Sequence, residues 1–453
     1  MRIRVCYILF LYVFLILGGC NDSYLDVKPD KGIVTPSTLE DLEALMNNTT
    51  RMNKQYPGVS ELLSDDCYLT DDSYDLISTR TNGLAYIWEK EVYEESDVND
   101  WSVAYANIFI ANLVLEGLKK IDKTPLNSAY YERLMGQALF LRGFSLYSLM
   151  PLFTKHYDVN TADKELGVVI KLTTDINEPI KRASVQQCYE QIIKDLLESL
   201  DLLPQRYSYK TLPDKCASIA LLARVYLSME DYEKALIYAD QALGMTEGLQ
   251  DFSELNASAS IPFPRFGKEI IFHATLYGAL NSFTLINNEL YELYESNDLR
   301  KQYYFKSTNS PNLIDYRGGY SGAREMFNGL AVNELWLIKA ECYSRKGENR
   351  KALDLINELL HKRWNKNVSF VPIPYSDSLD VLGIVLNERR KELFFRGLRW
   401  SDLRRLSFDK DRKVDLSRTI KGRTYNLTAE NIKSYVLKIP SQTILNNNLP
   451  QNE

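Results

Sequence analysis

Two stretches of this chain repeat one pattern of small and aromatic residues at helical spacing. The first lies within 217–243, and its pattern residues are Ala223, Tyr226, Tyr232, Ala235, Ala239 and Ala242. The second recurs at Ala340, Tyr343, Ala352, Ile356 and Leu359, with Gly347 at its turn. Small residues let paired helices approach closely, and the tyrosines fill the groove between them. The pattern is typical of tetratricopeptide helical pairs, with two ordinary helical hairpins as the alternative.

The two matches begin 117 residues apart, at 223 and 340, which excludes a tandem array of repeats of about 34 residues. Apolar periodicity predicts further helices at 38–47, 101–118, 129–152, 184–203 and 281–294, and a short strand at 269–274. Thr38 and Ser184 suit helix N-caps, and Pro151 and Pro204 suit helix ends. The predicted fold class is mainly all-α, a tetratricopeptide-like scaffold of helical pairs with a loop-rich, irregular part.

The predicted organisation is a leader over 1–19 and one mature domain over 20–453. Helical pairs are expected at about 101–243 and 329–406, and loop-rich parts at about 57–100 and 244–328. Loops positioned by a rigid scaffold are where binding residues concentrate. The loop-rich parts are therefore expected to face the ligand.

The first twenty residues have the pattern of a secretory leader. Basic residues at positions 2 and 4 precede an apolar run over 5–17, and two glycines then lead to Cys20. The run is too short for a membrane span. Small residues directly before a cysteine are typical of a bacterial lipobox, so we predict lipidation of Cys20; an ordinary signal peptide is the alternative. Acyl chains would then tie the protein to a membrane surface outside the cytoplasm.

The net charge of the chain indicates which partners to expect, and its cysteines indicate whether disulfides or metal sites are present. Without the two leader arginines the chain has 52 basic and 60 acidic residues, a formal charge of −8. No basic patch stands out, which argues against nucleic acid as a partner. Four widely separated cysteines remain besides Cys20, and we expect buried free thiols rather than disulfides or a metal site. They are Cys67, Cys188, Cys216 and Cys342.

Motifs for known catalytic chemistry are missing from the sequence. The three histidines lie at 156, 273 and 361, without metal-ligand spacing, and no zinc-protease, nucleophile-elbow, phosphate-loop or dinucleotide motif occurs. No catalytic residue and no cofactor is therefore predicted. A surface glycosidase stays open as an alternative, because its two carboxylates need be adjacent only in space. An acidic group gives a weak signal for calcium: Asp65, Asp66, Asp71, Asp72 and Asp75.

The densest charged segment of the chain spans 388–405 and interleaves acids with arginines. An anion site is one interpretation. The structural interpretation is a helix whose charges pair at i, i+4 and lock it against a neighbouring helical pair, with Gly397 permitting close approach. The interleaving of acids and bases favours the structural interpretation.

This charged segment resembles the C-terminal signature of the SusD/RagB family of outer-membrane nutrient-binding lipoproteins. Further segments with the same resemblance are 137–144, 182–185, Asp195-Leu196, 298–300, 437–440 and 448–452. The chain ends at Glu453, without the Pro-Gly-Tyr ending that the family's closing segment often carries. The resemblance covers nearly the whole mature chain in order, and it says little about the ligand.

The resemblance implies a binding protein rather than an enzyme. It implies an outer-membrane lipoprotein, exposed at the cell surface, that lids a TonB-dependent, SusC-like transporter and hands it captured oligomers, most simply oligosaccharides. Peptide or other non-glycan nutrients are the second interpretation. A periplasm-facing tetratricopeptide adaptor is the third, although an adaptor binds in its helical groove and needs no tyrosine-rich insert.

A shallow ligand site is expected where 60–100 meets the 244–330 insert. Flat aromatic faces there would stack on sugar rings or peptide planes, and carboxylates would accept hydrogen bonds. Gly318-Gly319 would give one loop the freedom to approach the ligand. A core position is the alternative for each aromatic residue. The candidate ligand-binding residues are Trp88, Tyr86, Tyr277, Tyr316, Tyr320, Asp66 and Asp72.

Overall fold

A computed structural model of the chain describes residues 36–77, 79–94, 98–278, 284–308 and 313–453. The predicted leader 1–19 and the predicted lipidation site Cys20 lie outside the described residues. Helices dominate the described chain, which confirms the mainly all-α fold class. Its eighteen α-helices are α1 Leu39–Met46, α2 Thr49–Met52, α3 Ser60–Leu63, α4 Asp71–Asp75, α5 Arg80–Tyr86, α6 Asp100–Leu118, α7 Ser128–Phe153, α8 Val185–Leu202, α9 Lys215–Ser228, α10 Tyr232–Leu243, α11 Asn288–Glu292, α12 Leu299–Tyr304, α13 Val332–Arg345, α14 Asn349–Arg363, α15 Val381–Glu392, α16 Arg399–Leu406, α17 Ala429–Ser434 and α18 Ser441–Asn447.

The described strands are short and pair into two-stranded antiparallel sheets. They pair as β1 with β5, β2 with β3, β4 with β8, β6 with β7 and β9 with β10. Their bounds are β1 Cys67–Tyr68, β2 Leu166–Val169, β3 Arg182–Ser184, β4 Ile270–Phe272, β5 Leu285–Ile286, β6 Phe305–Ser307, β7 Ile314–Tyr316, β8 Leu330–Ala331, β9 Leu416–Ile420 and β10 Arg423–Leu427.

Local capping chemistry starts two helices where the sequence predicts them. The Thr38 hydroxyl accepts the Asp41 N–H at 3.1 Å, and the Asp41 carboxylate accepts the Thr38 N–H at 3.1 Å. Ser184 and Gln187 form the same reciprocal pair at the start of α8, at 3.2 and 3.0 Å. Each pair satisfies two backbone donors that a helix start otherwise leaves free. Both predicted N-caps are confirmed.

The long helices form one packed array that follows chain order. Helices α6 to α10 each pack on the next, α10 packs directly on α13, and α13 packs on α14 and α15. The insert between the two repeat matches therefore loops out and leaves the helical pairs side by side. The pattern alanines Ala223, Ala235, Ala340 and Ala352 are all fully buried. The predicted close approach of these helices is confirmed.

Helix α6 is long and apolar enough to cross a membrane by length and composition, and half of that stretch is buried inside the fold. It packs against α7 and α1. Two buried asparagines on it hold other segments: Asn107 donates to the Gln55 carbonyl and Asn112 donates to the Lys171 carbonyl, both at 3.0 Å. These contacts make α6 a core helix of the scaffold.

The insert is less helical than the sequence suggests. Its predicted strand 269–274 appears as β4, which pairs with β8 next to the start of α13. The predicted helix 281–294 is too long in its described part, where β5 comes first and the helix α11 spans only Asn288–Glu292. The reason is tertiary, because β5 pairs with β1 from a distant part of the chain, with Cys67 opposite Ile286.

The charged segment 388–405 is a helix pair rather than one helix. Helix α15 ends at Glu392, and α16 begins at Arg399. Phe395 and Gly397 between them have φ values of 54° and 72°, in the left-handed region that interrupts a helix. The predicted i, i+4 pairing is also wrong, since the main ion pairs join this segment to distant elements.

Glu392 shows how these buried charges are satisfied. Its carboxylate accepts from Arg300 at 2.9 Å, from Arg363 at 2.7 Å and from Asn333 at 2.8 Å. Burial alone raises the pKa of Glu392, but the charges of Arg363 and Arg300 outweigh burial and hold this pKa below its usual value. The segment thus joins α12, α13, α14 and α15 into one interior, as the structural interpretation proposed.

Candidate functional site

A cleft of about 370 Å³ opens where three segments of the loop-rich part meet. One wall comes from β1 and the end of α5, a second from the turn before α11, and the third from β9. We call it the hairpin cleft, after the β9–β10 hairpin. Its lining residues are Asp65, Cys67, Tyr68, Leu69, Tyr86, Trp88, Asn287, Glu289, Val414, Asp415, Leu416, Ser417, Arg418 and Thr419.

Arg418 organises the floor of the hairpin cleft. Its guanidinium lies 4.0 Å from the ring centroid of Tyr86 and 4.3 Å from that of Trp88, within the range of a cation–π contact. It also donates to the carbonyl oxygen of Leu62 at 2.7 Å and to those of Tyr86 and Ser64. Burial lowers the pKa of Arg418, and the carbonyls and ring faces replace the lost water.

The two predicted aromatic residues of the first loop region line the cleft but are almost fully buried. Trp88 is 8% exposed and Tyr86 is 2% exposed. The Trp88 indole donates to the Leu63 carbonyl at 2.9 Å, and the Tyr86 hydroxyl accepts the Leu69 N–H at 2.9 Å. These bonds fix both rings against Arg418. Tyr68 is the half-buried aromatic residue of this lining.

Asp65 ties the cleft wall to the charged segment. Arg399 donates to both Asp65 carboxylate oxygens, at 2.7 and 2.8 Å. Burial raises the pKa of Asp65, but Arg399 and Arg390 outweigh burial and hold this pKa well below its usual range. Asn287 on the opposite wall donates to the Asp65 carbonyl at 2.9 Å. The wall is thus rigid and pre-formed, which lowers the cost of ordering a ligand.

The rim of the hairpin cleft offers uncharged and acidic hydrogen-bonding groups. Glu289, Asp415, Ser417 and Thr419 are exposed lining residues. Arg418 is the basic side chain of the lining, and its donors already face carbonyl oxygens and rings. Such a surface suits a ligand rich in hydroxyl groups, because carboxylate, amide and hydroxyl side chains exchange hydrogen bonds with hydroxyls.

Two other predicted ligand residues lie outside this lining. Asp72 is exposed on α4, next to the hairpin, where Asp71 accepts the Lys421 N–H at 2.7 Å. Tyr277 is half-buried, and its N–H donates to the Tyr56 carbonyl at 2.7 Å. Their role in ligand binding stays a prediction.

Three further candidates are interior residues, so the structure contradicts their expected exposure. Tyr316 packs edge-on against Phe394 and Phe395, and the Tyr320 hydroxyl donates to Glu269 at 2.5 Å. Asp66 is buried and accepts from Arg390 at 2.9 Å. Aromatic residues and paired carboxylates stabilise an interior as readily as they bind ligands, and sequence type does not separate these roles.

The glycine pair between these tyrosines also serves packing. Gly318 has a φ of 148°, and a Cβ there would lie 2.9 Å from Ile261. A Cβ at Gly319 would lie 2.5 Å from the Tyr316 hydroxyl. Close packing inside the fold therefore requires glycine here, in place of the predicted approach to a ligand.

The acidic residues considered for calcium fall into two groups with different partners. Asp65 and Asp66 face Arg390 and Arg399, whereas Asp71 and Asp75 contact Lys421. Within the described ranges, no three His, Cys, Asp or Glu residues form a group that could hold a metal ion. All four cysteines at 67, 188, 216 and 342 are buried and free, which confirms the thiol prediction.

The third wall of the cleft, the β9–β10 hairpin, is absent from the sequence-based prediction. Its signal is nevertheless present, because Leu416, Arg418 and Ile420 alternate with exposed residues. Lys421 and Gly422, with φ values of 50° and 73°, form the two-residue turn. Such an alternation followed by a turn ending in glycine is a strong local indicator of a hairpin.

Comparison with known proteins places this architecture in a family. A SusD-like profile described as "Starch-binding associating with outer membrane" matches residues 23–227, and the SusD family profile matches residues 287–453. The chain belongs to the SusD/RagB family. SusD/RagB proteins are nutrient-binding proteins associated with the outer membrane, which puts the chain in a class that binds rather than catalyses.

SusD/RagB relatives cover most of the chain at low identity. SusD-like protein P2 of Formosa agariphila is 24% identical, over 88% of this chain and 90% of that protein. A SusD superfamily structure from Bacteroides fragilis aligns with a TM-score of 0.73 and 21% identity, over 92% of this chain and 99% of its own. A SusD-like carbohydrate binding protein from Bacteroides vulgatus aligns with a TM-score of 0.65 and 19% identity, over 91% and 97%. These structures share the fold with this chain.

Proposed function

We propose that this protein captures an oligosaccharide in the hairpin cleft at the cell surface and delivers it to a SusC-like, TonB-dependent outer-membrane transporter. The lipid on Cys20 holds it at the outer membrane. The observation that carries the proposal is the cleft itself, with hydrogen-bonding side chains around an aromatic floor in a SusD/RagB protein. A volume of about 370 Å³ accommodates part of an oligomer and leaves the rest outside.

The cleft chemistry favours a sugar over an apolar ligand. Hydroxyl and carboxylate side chains on the rim match a polyhydroxylated ring, and the half-buried Tyr68 supplies an apolar face beside them. The fixed positions of Asp65, Asn287 and Arg418 keep this surface formed before the ligand arrives. Weak and rapidly reversible binding suits a protein that must pass its ligand on.

The binding test uses the full-length lipoprotein in detergent micelles and a panel of neutral oligosaccharides and short peptides. Tyr68→Ala is expected to weaken binding of the captured oligosaccharide by about tenfold, the loss expected for one aromatic contact plus a hydrogen bond. Tyr375→Ala, another half-buried tyrosine at a distant position, is the matched control. If the wild-type protein binds only peptides, the hairpin cleft is not an oligosaccharide site. The same conclusion follows if Tyr68→Ala and Tyr375→Ala bind the oligosaccharide with equal affinity.

The anchor and the transporter are tested in cells. Cys20→Ala is expected to move the protein from the membrane fraction to the soluble fraction, because a single acylated cysteine supplies the anchor. The lipidated protein is expected to co-purify with an outer-membrane transporter after mild solubilisation. Retention of the Cys20→Ala protein in carbonate-washed membranes would contradict the anchor.

A further inference from the structure

The outer face of helix α6 is apolar, although the rest of the described chain does not cover it. No charged residue occurs between Asp100 and Glu116, so no side of the helix carries a charge over about four turns. Such a helix is normally buried on every side. The inner face of α6 lies in the core, whereas Phe109 on the outer face is 45% exposed. Ile110 and Leu113 beside it are half-buried.

The two most exposed large apolar side chains of the described chain lie near the C-terminal end of α6. Leu126, in the turn between α6 and α7, is 101% exposed, and Ile176 is 88% exposed. The loop that carries Ile176 is held against α6, because the Thr174 N–H donates to the Glu116 carboxylate at 2.8 Å. Both side chains therefore protrude into solvent at one end of the uncharged helix.

The described chain begins at this same end of α6. Pro36 is the first described residue, and α1 follows it directly. Leu42 on α1 lies against Gly117, where an added Cβ would come within 2.6 Å of it. The Gln55 carbonyl accepts from Asn107, in the middle of α6, at 3.0 Å. The chain thus enters beside the C-terminal end of α6 and runs from there toward the middle of that helix.

The position of the chain entry favours a lipid surface as the partner of this apolar end. Residues 20–35 connect Pro36 to Cys20, the proposed site of the lipid. Sixteen residues span at most about 55 Å, so the lipid keeps this end of α6 within that distance of the membrane. A lipid surface deforms around protruding apolar side chains, whereas a protein partner would need a pocket for each of them.

We propose that the outer face of α6, together with Leu126 and Ile176, is a membrane-contact surface, the α6 face. Phe109, Leu126 and Ile176 enter the boundary between headgroups and acyl chains and set the orientation of the protein on the bilayer. Removal of apolar area from water drives this contact, so added salt should change it little. The α6 face goes beyond the proposed function and rests on it only for the lipid at Cys20.

Site-directed fluorescence tests the α6 face in the full-length lipoprotein, reconstituted with vesicles of phosphatidylethanolamine and phosphatidylglycerol. A fluorophore is attached at Leu126→Cys or Ile176→Cys, and lipids with a spin label on the acyl chain act as the quencher. Quenching is expected to be at least about twofold stronger there than at Val159→Cys and Val371→Cys, because the α6 face enters the acyl boundary. The two control valines are 77% and 78% exposed elsewhere on the molecule. The described native cysteines do not compete for the label, because all four are buried.

A double variant separates insertion from mere proximity to the membrane. Leu126→Asp combined with Ile176→Asp is expected to lower the quenching of a label at Phe109→Cys by at least about twofold, because charged side chains resist entry into the apolar layer. Both positions are exposed, so the change leaves the interior of the fold untouched. Val159→Asp combined with Val371→Asp is the matched control and should leave the quenching at position 109 at its original level.

Each outcome decides the proposal. Selective quenching at positions 126 and 176 that the double variant reduces supports the α6 face. Equal quenching at all four positions, or no effect of the double variant, would overturn it. Shielding of both positions by a dimer, detected by chemical cross-linking, would assign the face to a second copy of the chain and also overturn it.

Flotation with the vesicles reports on the lipid at Cys20 separately. A protein that floats with the vesicles but shows no selective quenching overturns the α6 face alone and leaves the anchor in place. A protein that does not float contradicts both the anchor and the α6 face. The hairpin cleft is unaffected by either result, because it shares no residue with the α6 face.

Discussion

The contact between α9 and α10 and the interior around Glu392 are equally buried, but different forces hold them. Alanines at 223, 235, 239 and 242 form the first contact, where helices approach through small apolar side chains. Around Glu392 the interior instead holds Arg300, Arg363 and their partners, also fully buried. The first contact gains free energy from area removed from water, and the second depends on each charge finding its partner.

This difference predicts which substitutions the fold tolerates. Apolar contacts are non-directional, so a neighbour can adjust to a small change at a graded cost. A buried ion network cannot adjust in this way. Removal of one member leaves the remaining charges buried, without water and without a partner. The network around Glu392 joins the insert, through Arg300, to the helical pairs that carry Arg363 and Glu392.

Removal of the Glu392 carboxylate tests this contrast most strongly. Glu392→Ala is expected to lower the free energy of unfolding by about 3–5 kcal/mol, because Arg300 and Arg363 lose the acceptor that they share. Urea denaturation followed by circular dichroism measures it. The control is Glu430→Ala, an exposed carboxylate paired with Lys433, where a loss of about 0–1 kcal/mol is expected. Similar losses in the two variants would show that the buried network contributes little.

Overpacking the alanine contact is expected to cost less. Ala235→Leu should lower the free energy of unfolding by about 1–3 kcal/mol, because α9 and α10 must move apart to admit the larger side chain. Ala257→Leu, the same change at an exposed alanine, is the control and should be nearly neutral. An unchanged melting temperature in Ala235→Leu would mean that the contact is looser than its burial indicates.

Glu61 sharpens the comparison, because this buried carboxylate of the loop-rich part has an oxygen without a partner among the described atoms. Burial, with the charge of Asp66, raises the pKa of Glu61 from 4.5 to about 8. Between these values the unfolded chain binds fewer protons than the folded chain, so the stability that Glu61 contributes is lost as pH rises.

Glu61→Gln should remove this loss, because the amide keeps an acceptor for the Gly397 N–H and does not ionise. Above the unfolded-state pKa, the free energy of unfolding of the variant is expected to exceed that of wild type by at most about 1.4 kcal/mol for each pH unit. Urea titrations at pH 5, 6, 7 and 8 measure the difference (roughly the window that the two pKa values bracket). Glu233→Gln, an exposed carboxylate, serves as the control. Parallel stability curves for wild type and Glu61→Gln would contradict the raised pKa.

Features set by neighbouring residues in the chain could be predicted. Thr38 and Ser184 start helices because their side chains bond to backbone groups three residues away. The alanine pattern predicts the helical pairs because its period matches the helix. The β9–β10 hairpin belongs to the same class, and its alternation and Lys421-Gly422 turn make it predictable even though it was missed.

Features set by distant partners could not be predicted in this way. The stretch around Leu285 has a helical pattern, yet it forms β5 because β1 offers a strand edge. Tyr320 is buried whereas Tyr209 is exposed, although both lie in connections rich in polar residues. Which tyrosine faces solvent depends on what packs over it, and a single sequence does not contain that information.

By itself, the sequence determined the family, the mainly helical class, the N-caps and the close-packed alanine pairs, because each depends on residue type at short spacing. Tertiary structure alone decided which charges of 388–405 meet Arg300 and Asp65, and that β9 closes a cleft against Tyr86 and Trp88. The physical reason is that ion pairing and burial depend on distances between residues far apart in the chain, which only the folded backbone sets.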